Sequence, residues 1–149
     1  GIIPAVIYNC NDELSAKIIS TSEAERISYG FGCGTFTAKN IEMDFSGMTF
    51  DVLVPRNGED VGKIKVRTKL TGKFNIHNIL ASVASLKSLG LKYREILESI
   101  SKFEPVEGRF NQIKLRNNSV AVIDYSHTPD SLLKAPTLRM YFLSETSSP

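Results

Sequence analysis

No stretch of this sequence is apolar for long enough to cross a bilayer, and no charged, apolar, small-residue series opens it as a secretory leader would. A dominant charge is missing too. Eighteen Lys and Arg against sixteen Asp and Glu leave a net +2, which calls for neither nucleic acid nor an anionic membrane as partner. Cysteine is scarce: Cys10 and Cys33 stand far apart with no Cys-x-x-Cys spacing, which argues against a metal site. Free thiols in a reducing cytoplasm are expected, with a disulfide as the alternative. Internal repeats and low-complexity segments are absent, and the first residue is Gly1 rather than Met, as expected for a piece of a longer protein.

What is present is ordered. A length of 149 residues suffices for one domain with a core, or for parts of two. Pro4 to Tyr8 is a short apolar run ending at Asn9, the pattern of a buried strand with a polar carboxyl end. Asn11 or Asp12 can cap a helix carried by Leu14, Ile18 and Ile19, and Arg26 to Tyr29 would be the returning strand of a βαβ-like unit. From Phe36 the period becomes two. Ile41, Met43 and Phe45 alternate with polar neighbours, Ser46-Gly47 turns, and Met48, Phe50, Val52 and Val54 continue. Asn57-Gly58 offers a second turn before Ile64, Val66, Thr68 and Leu70, completing an antiparallel meander with one face on a core. Lys63, Lys65, Arg67 and Lys69 on the other face read as a solvated stripe that discourages edge pairing, rather than as a phosphate site.

Helical spacing follows. Ile76, Ile79, Leu80, Val83, Leu86 and Leu89 form one stripe, Gly90 sits at the carboxyl cap, and Asn75 is the expected N-cap, with Phe74 and Ile79 stapled across it. A second helix carries Tyr93, Ile96, Leu97, Ile100 and Phe103 and stops at Pro105. Two glycine-rich segments are decoys. Gly58 to Ile64 lacks a spacer residue and the terminal Ser/Thr of a phosphate-binding loop, and it lies between strands. Gly30-Phe-Gly32-Cys-Gly34 leads into a strand instead of a helix and reads as a turn.

The remaining chain is organised around Val106 to Asp130. Val120 to Ile123 is a β-branched apolar run, Asp124 stands at its carboxyl end, and Thr128-Pro129 begins a helix as N-cap and first helical residue. A carboxylate and a polar loop beyond a strand end suit a nucleotide. Pro136 would break that helix early, and residues 137–149 end in a polar Ser/Thr/Pro tail, as in a truncated or frame-disrupted product.

Gly108-Arg109-Phe110 followed by Asp124-Tyr125-Ser126-His127-Thr128-Pro129-Asp130 resembles the junction between the central and C-terminal domains of the Mur ligases. Gly72-Lys73-Phe74-Asn75-Ile76-His77-Asn78-Ile79-Leu80-Ala81-Ser82 is similar to that family's Gly-x-Phe-Asn-x-x-Asn-x-x-Ala-Ala helix start. Within the family the likeness is closest to the synthetase that adds the third residue of the peptidoglycan stem peptide, and it covers residues 4–135. It implies an α/β fold. Residues 1–105 would be the end of a central ATPase domain, with a mixed sheet, meander and helices. Residues 106–135 would be a linker and the start of a Rossmann-like C-terminal domain, and 136–149 a divergent tail.

The implied reaction is amide formation. ATP phosphorylates the carboxylate of UDP-N-acetylmuramoyl-L-alanyl-D-glutamate, and the amine of a diamino acid attacks the acyl phosphate. The resemblance assigns Asn78 to adenine, Arg109 to the phosphates of ATP and Asp124 to a ribose hydroxyl. His127 positions phosphate or braces the turn, with bracing preferred. Asn111 stands where the family has Glu or Gln and receives no role, His77 reads as an exposed histidine, and Asn11 replaces a usual Asp. The phosphate-binding loop, the carboxylates and modified lysine for Mg2+, the UDP-sugar domain and the Arg motif that selects the amino acid have no counterpart in these residues. The chain alone is therefore expected to be inactive and marginally stable or self-associating. A folylpolyglutamate-synthase-like ligase and a non-catalytic nucleotide-binding module are the alternatives. Ala-His-Asn-Pro in place of the Tyr-Ser-His-Thr-Pro-Asp run would favour the former.

Overall fold

The computed structural model describes residues 4–44, 46–55, 62–106, 111–114 and 120–123. The chain divides into two compact units, Gly1–Glu104 and Pro105–Pro149. In the first, β1 (Ala5–Asn9), α1 (Glu13–Ile19) and β2 (Glu25–Phe31) form a βαβ unit, with β1 and β2 parallel and Ala5 opposite Glu25. The sheet continues in the order β1-β2-β3-β4-β5 through β3 (Phe36–Asp44), β4 (Gly47–Leu53) and β5 (Lys63–Thr68). The last three form the expected antiparallel meander. Helices α2 (Lys73–Ser88) and α3 (Tyr93–Ser101) follow, α2 packing on β1 to β3 and α3 on β5. The result is the mixed α/β architecture that the sequence pattern called for.

Burial follows the period-two reading on β4 and β5. Phe50, Val52 and Val66 are fully enclosed, and they meet Ile76, Ile79, Leu80 and Val83 of α2 and Ile96 and Ile100 of α3 in one core. Lys63, Lys65 and Arg67 stand exposed on the opposite face, the solvated stripe expected of them. Asp51 lies among them on that face. It accepts a hydrogen bond from Asn40 Nδ2 at 2.8 Å and faces Lys63 Nζ at 3.5 Å. The Asn40 donor, then Lys63, hold its carboxyl below the usual range.

Several expectations fail for identifiable reasons. The alternation breaks in β3, where the register shifts between Lys39 and Glu42 and Asn40 adopts φ 51°. That bulge turns Ile41 outward, and Phe36, Thr37 and Ala38 are buried in succession. Of the two caps offered for α1, Asp12 serves, accepting from the Leu14 and Ser15 amides, but Leu14 and Ile18, expected to carry the helix, are solvent-exposed. Asn75 is not an N-cap: α2 starts at Lys73, with Gly72 at φ 91° as its cap. Asn75 Nδ2 instead donates to Thr71 O at 2.7 Å. The Phe74 ring folds over Gly72, where any Cβ would stand 2.6 Å from it. Leu89 and Phe103 are exposed rather than on the apolar stripes, because each follows the last turn of its helix. Gly90 does supply the left-handed cap, at φ 90°.

The step from β2 to β3 is the least ordinary feature. Tyr29 to Phe31 pair in parallel with Phe36 to Ala38, though only four residues separate the strands. Parallel neighbours usually need a crossover of a dozen residues or more. Here Gly32 and Gly34 take φ 69° and 93°, and the Ser28 and Thr35 side chains bond each other's backbone amides. Thr37 Oγ1 donates to the carbonyls of Cys33 and Gly34. The turn is therefore confined to Gly32 to Thr35, while Gly30 and Phe31, read as part of it, belong to β2.

In the second unit the described residues are a two-stranded antiparallel ladder, β6 (Asn111–Lys114) and β7 (Val120–Ile123), with Asn111 opposite Ile123. The strand at Val120 to Ile123 was expected; β6 was not. The helix expected from Thr128 lies outside the described residues.

Candidate functional site

The carboxyl ends of β1 and β2 and the first turns of α2 come together. Phe31, at the end of β2, places its ring edge-on to His77, with centroids 4.5 Å apart, and Tyr29 lies 6.3 Å from the same imidazole. His77 is thus half-buried rather than exposed as expected, and its Nδ1 is enclosed without a hydrogen-bond partner among the described residues. Burial pushes the His77 pKa below its usual value of 6.5. The neutral ring is favoured in the fold, so its contribution is fully present above about pH 6.5 and is lost as acid reaches the unfolded chain's histidine first. We expect the urea midpoint to fall between pH 7.5 and 5.5 by more in the native chain than in His77→Phe. Equal falls would remove His77 as the cause.

One residue further, Asn78 faces solvent from α2. Its Nδ2 donates to Asn75 Oδ1 at 3.3 Å, and Asn75 is itself anchored on Thr71 O. The amide is therefore oriented from behind and presents donor and acceptor outward, the pair of groups that suits the edge of a heterocyclic base. Of the four residues marked in the sequence, Asn78 is the one whose place is described. Arg109, Asp124 and His127 lie outside the described residues.

Two features were underrated in the sequence reading. Cys10 and Cys33 are joined as a disulfide, with Cα atoms 6.3 Å apart, which overturns the free-thiol reading. Twenty-three residues separate them, and the parallel return of β2 beside β1 removes that distance. Asn11, noted only as a departure, accepts from Phe31 N at 2.7 Å and donates to Phe31 O at 3.1 Å. Its side chain imitates one more rung of the β1–β2 ladder. An aspartate could accept but not donate there.

Residues 3–86 match the Mur ligase middle domain. The chain belongs to the Mur ligase family. It is 33% identical over 137 residues to the UDP-N-acetylmuramoyl-L-alanyl-D-glutamate–2,6-diaminopimelate ligase of Geobacillus thermodenitrificans, covering 91% of this chain and 27% of that protein. It is also 33% identical over 130 residues to the UDP-N-acetylmuramoyl-L-alanyl-D-glutamate–L-lysine ligase of Staphylococcus aureus, covering 87% and 25%. In three dimensions it resembles MurF of Acinetobacter baumannii, with a TM-score of 0.76 and 25% identity over 90% of this chain and 28% of that one. The chain thus spans about a quarter of the length of the curated relatives it matches.

Among the described residues no three His, Cys, Asp or Glu side chains group as a metal site. A cleft of about 400 Å3 opens at the Asp44–Gly47 end of the meander, with Glu42, Asp44, Arg67 and Lys69 on its walls. Its mixed charge is unlike a phosphate cradle. No helix among the described residues is long and apolar enough to cross a membrane.

Proposed function

We propose that this chain is the adenine-side wall of the ATP site in a ligase that adds a diamino acid to UDP-N-acetylmuramoyl-L-alanyl-D-glutamate. The observation that carries the reading is the outward amide of Asn78, oriented by Asn75 at the start of α2 within the segment matching the Mur ligase middle domain. Asn78 reads the adenine edge, Arg109 pairs with phosphate oxygens in its two-pronged geometry, and Asp124 accepts from the ribose. His127 is assigned to brace its own turn. Residues 1–105 act as the end of the central domain, and 106–135 begin the C-terminal one.

The parent reaction is acyl-phosphate formation from ATP followed by attack of an amine. Its transition state is stabilised chiefly by positioning and charge, which a phosphate-binding loop and Mg2+ supply in the whole enzyme. Neither the loop nor the magnesium ligands can be located in this sequence. ATP and a UDP-linked substrate place the parent in the cytoplasm, with no part for nucleic acid or a membrane.

Saturation-transfer NMR with ADP and GDP tests the reading on the chain itself. Adenine protons should receive saturation and guanine protons should not. Asn78→Ala should weaken ADP binding by roughly tenfold, the equivalent of one well-placed hydrogen-bonded amide. Equal signals from the two nucleotides, or unchanged binding in the variant, would defeat the assignment. Purified chain with ATP and both substrates should release no phosphate above background.

A further inference from the structure

We propose that Cys10 and Cys33 form a reversible dithiol–disulfide site, in which Cys33 exchanges with small external disulfides and Cys10 resolves the mixed disulfide. The surroundings of the two sulfurs differ in a way that assigns these roles. Asn11 Nδ2 points at Cys33 Sγ from 3.3 Å, a donor that stabilises a thiolate there. Cys10 Sγ lies 3.2 Å from the carbonyl oxygen of Tyr29, an acceptor that holds a proton on the Cys10 thiol once the bond is open. The thiolate is the nucleophile in exchange. Both residues are partly exposed, so a small reagent can reach them.

The pair is also held together by bonds that do not involve sulfur. Cys10 N donates to Tyr29 O at 2.9 Å, and the Asn11 amide clamps both backbone groups of Phe31. Reduction therefore leaves the two thiols within reach of each other instead of scattering them. Room for the sulfur is reserved by glycine: a Cβ on Gly30 would stand 2.7 Å from Cys10 Sγ, and one on Gly34 would stand 3.1 Å from it.

The exchange balances without any further reactant. The Cys33 thiolate attacks a low-molecular-weight disulfide, RSSR, forming a mixed disulfide and releasing RS⁻. The Cys10 thiol then gives up its proton and attacks Cys33 Sγ, closing the protein disulfide and releasing the second RS⁻. The net change converts two protein thiols and RSSR into one protein disulfide and two RSH. Disulfides in a reducing compartment are usually of this transient, sensing kind. The chain of contacts leads from Cys33 through Asn11 and Phe31 to the His77 ring, so the oxidation state has a route to α2. The proposal stands whether or not Asn78 binds a nucleotide.

The test uses the whole chain in glutathione buffers of graded thiol-to-disulfide ratio, quenched with acid, alkylated and weighed by mass spectrometry. A single transition between a doubly alkylated and an unalkylated species is expected, with the far-UV spectrum retained and the His77 imidazole resonances shifting at the same ratio. Cys10→Ser should accumulate a glutathione adduct on Cys33 several-fold faster than Cys33→Ser accumulates one on Cys10. Asn11→Ala should narrow that difference. A pair that stays oxidised at every ratio, that never oxidises, or that reduces only as the far-UV signal collapses would overturn the proposal. So would equal rates in the two serine variants.

Discussion

Replacing Phe50 with alanine should cost about 3–5 kcal/mol, the usual range for deleting a buried aromatic ring, and it should erase much of the cooperative urea transition. Phe50 is fully enclosed at the middle of β4, paired with Val66 on β5. On its other side β3 carries the bulge at Asn40, where the ladder between Lys39 and Glu42 is interrupted. β4 is held by both neighbours and cannot slide inward, and the helices above are fixed by Ile79, Leu80, Ile96 and Ile100, each at most 1% exposed. The site therefore cannot collapse around the missing ring, and the loss should fall at the upper end of the range. Since whole domains are stable by only roughly 5–15 kcal/mol, this one change removes a large share. Leu89→Ala is the control: Leu89 is 76% exposed, and its truncation should stay within about 0.5 kcal/mol. A Phe50→Ala midpoint close to that of the control would show that the core does not rest on the meander.

The contrast between Phe50 and Leu89 marks where pattern reading works on this chain. On β4 and β5 two turn signals and strict alternation determine the face of every residue, because a slip of one would expose the whole apolar set. Helix ends carry no such constraint. Leu89 and Phe103 continue the apolar spacing of α2 and α3, yet the helices stop before them and their side chains point away. His77 was misjudged for a related reason: helical spacing shows which side of α2 it occupies, but not that Phe31 would cover it. The marked ligand residues differ again. Asn78 was marked through the resemblance carried by its Gly-x-Phe-Asn-x-x-Asn segment, and the three-residue helical spacing puts Asn75 behind it. Asn11 and the cysteine pair were not legible, since their meaning depends on the short parallel step from β2 to β3. Local patterning makes such a step improbable, and only the geometry of Gly32 and Gly34 permits it.

Opening the Cys10–Cys33 bond should lower the chain's stability by about 3 kcal/mol, from the entropy that a loop of its length restores to the unfolded state. The cystines lie 23 residues apart, and the closed loop contains α1 and β2. Beyond the β1–β2 ladder and the Asn11 clamp, those elements bury little. Leu14 and Ile18 on α1 are solvent-exposed, Ile19 is its one buried apolar residue among those described, and Ile7, Ile27, Tyr29 and Phe31 are only partly buried against the core. The meander, by contrast, owes its position to fully enclosed side chains. Reduction should therefore loosen the structure unevenly. Amide exchange at Ile7 and Ile27 should accelerate by far more than exchange at Val52 and Val66, and the urea transition should broaden as β1, α1 and β2 open first. Asn11→Asp in the reduced chain should accelerate exchange at Ile7 and Ile27 further, because a carboxylate facing the Phe31 carbonyl repels where the amide bonded. Uniform acceleration across β1 and β4 would instead mean that the disulfide stabilises one cooperative unit, and that the βαβ part has no independent opening.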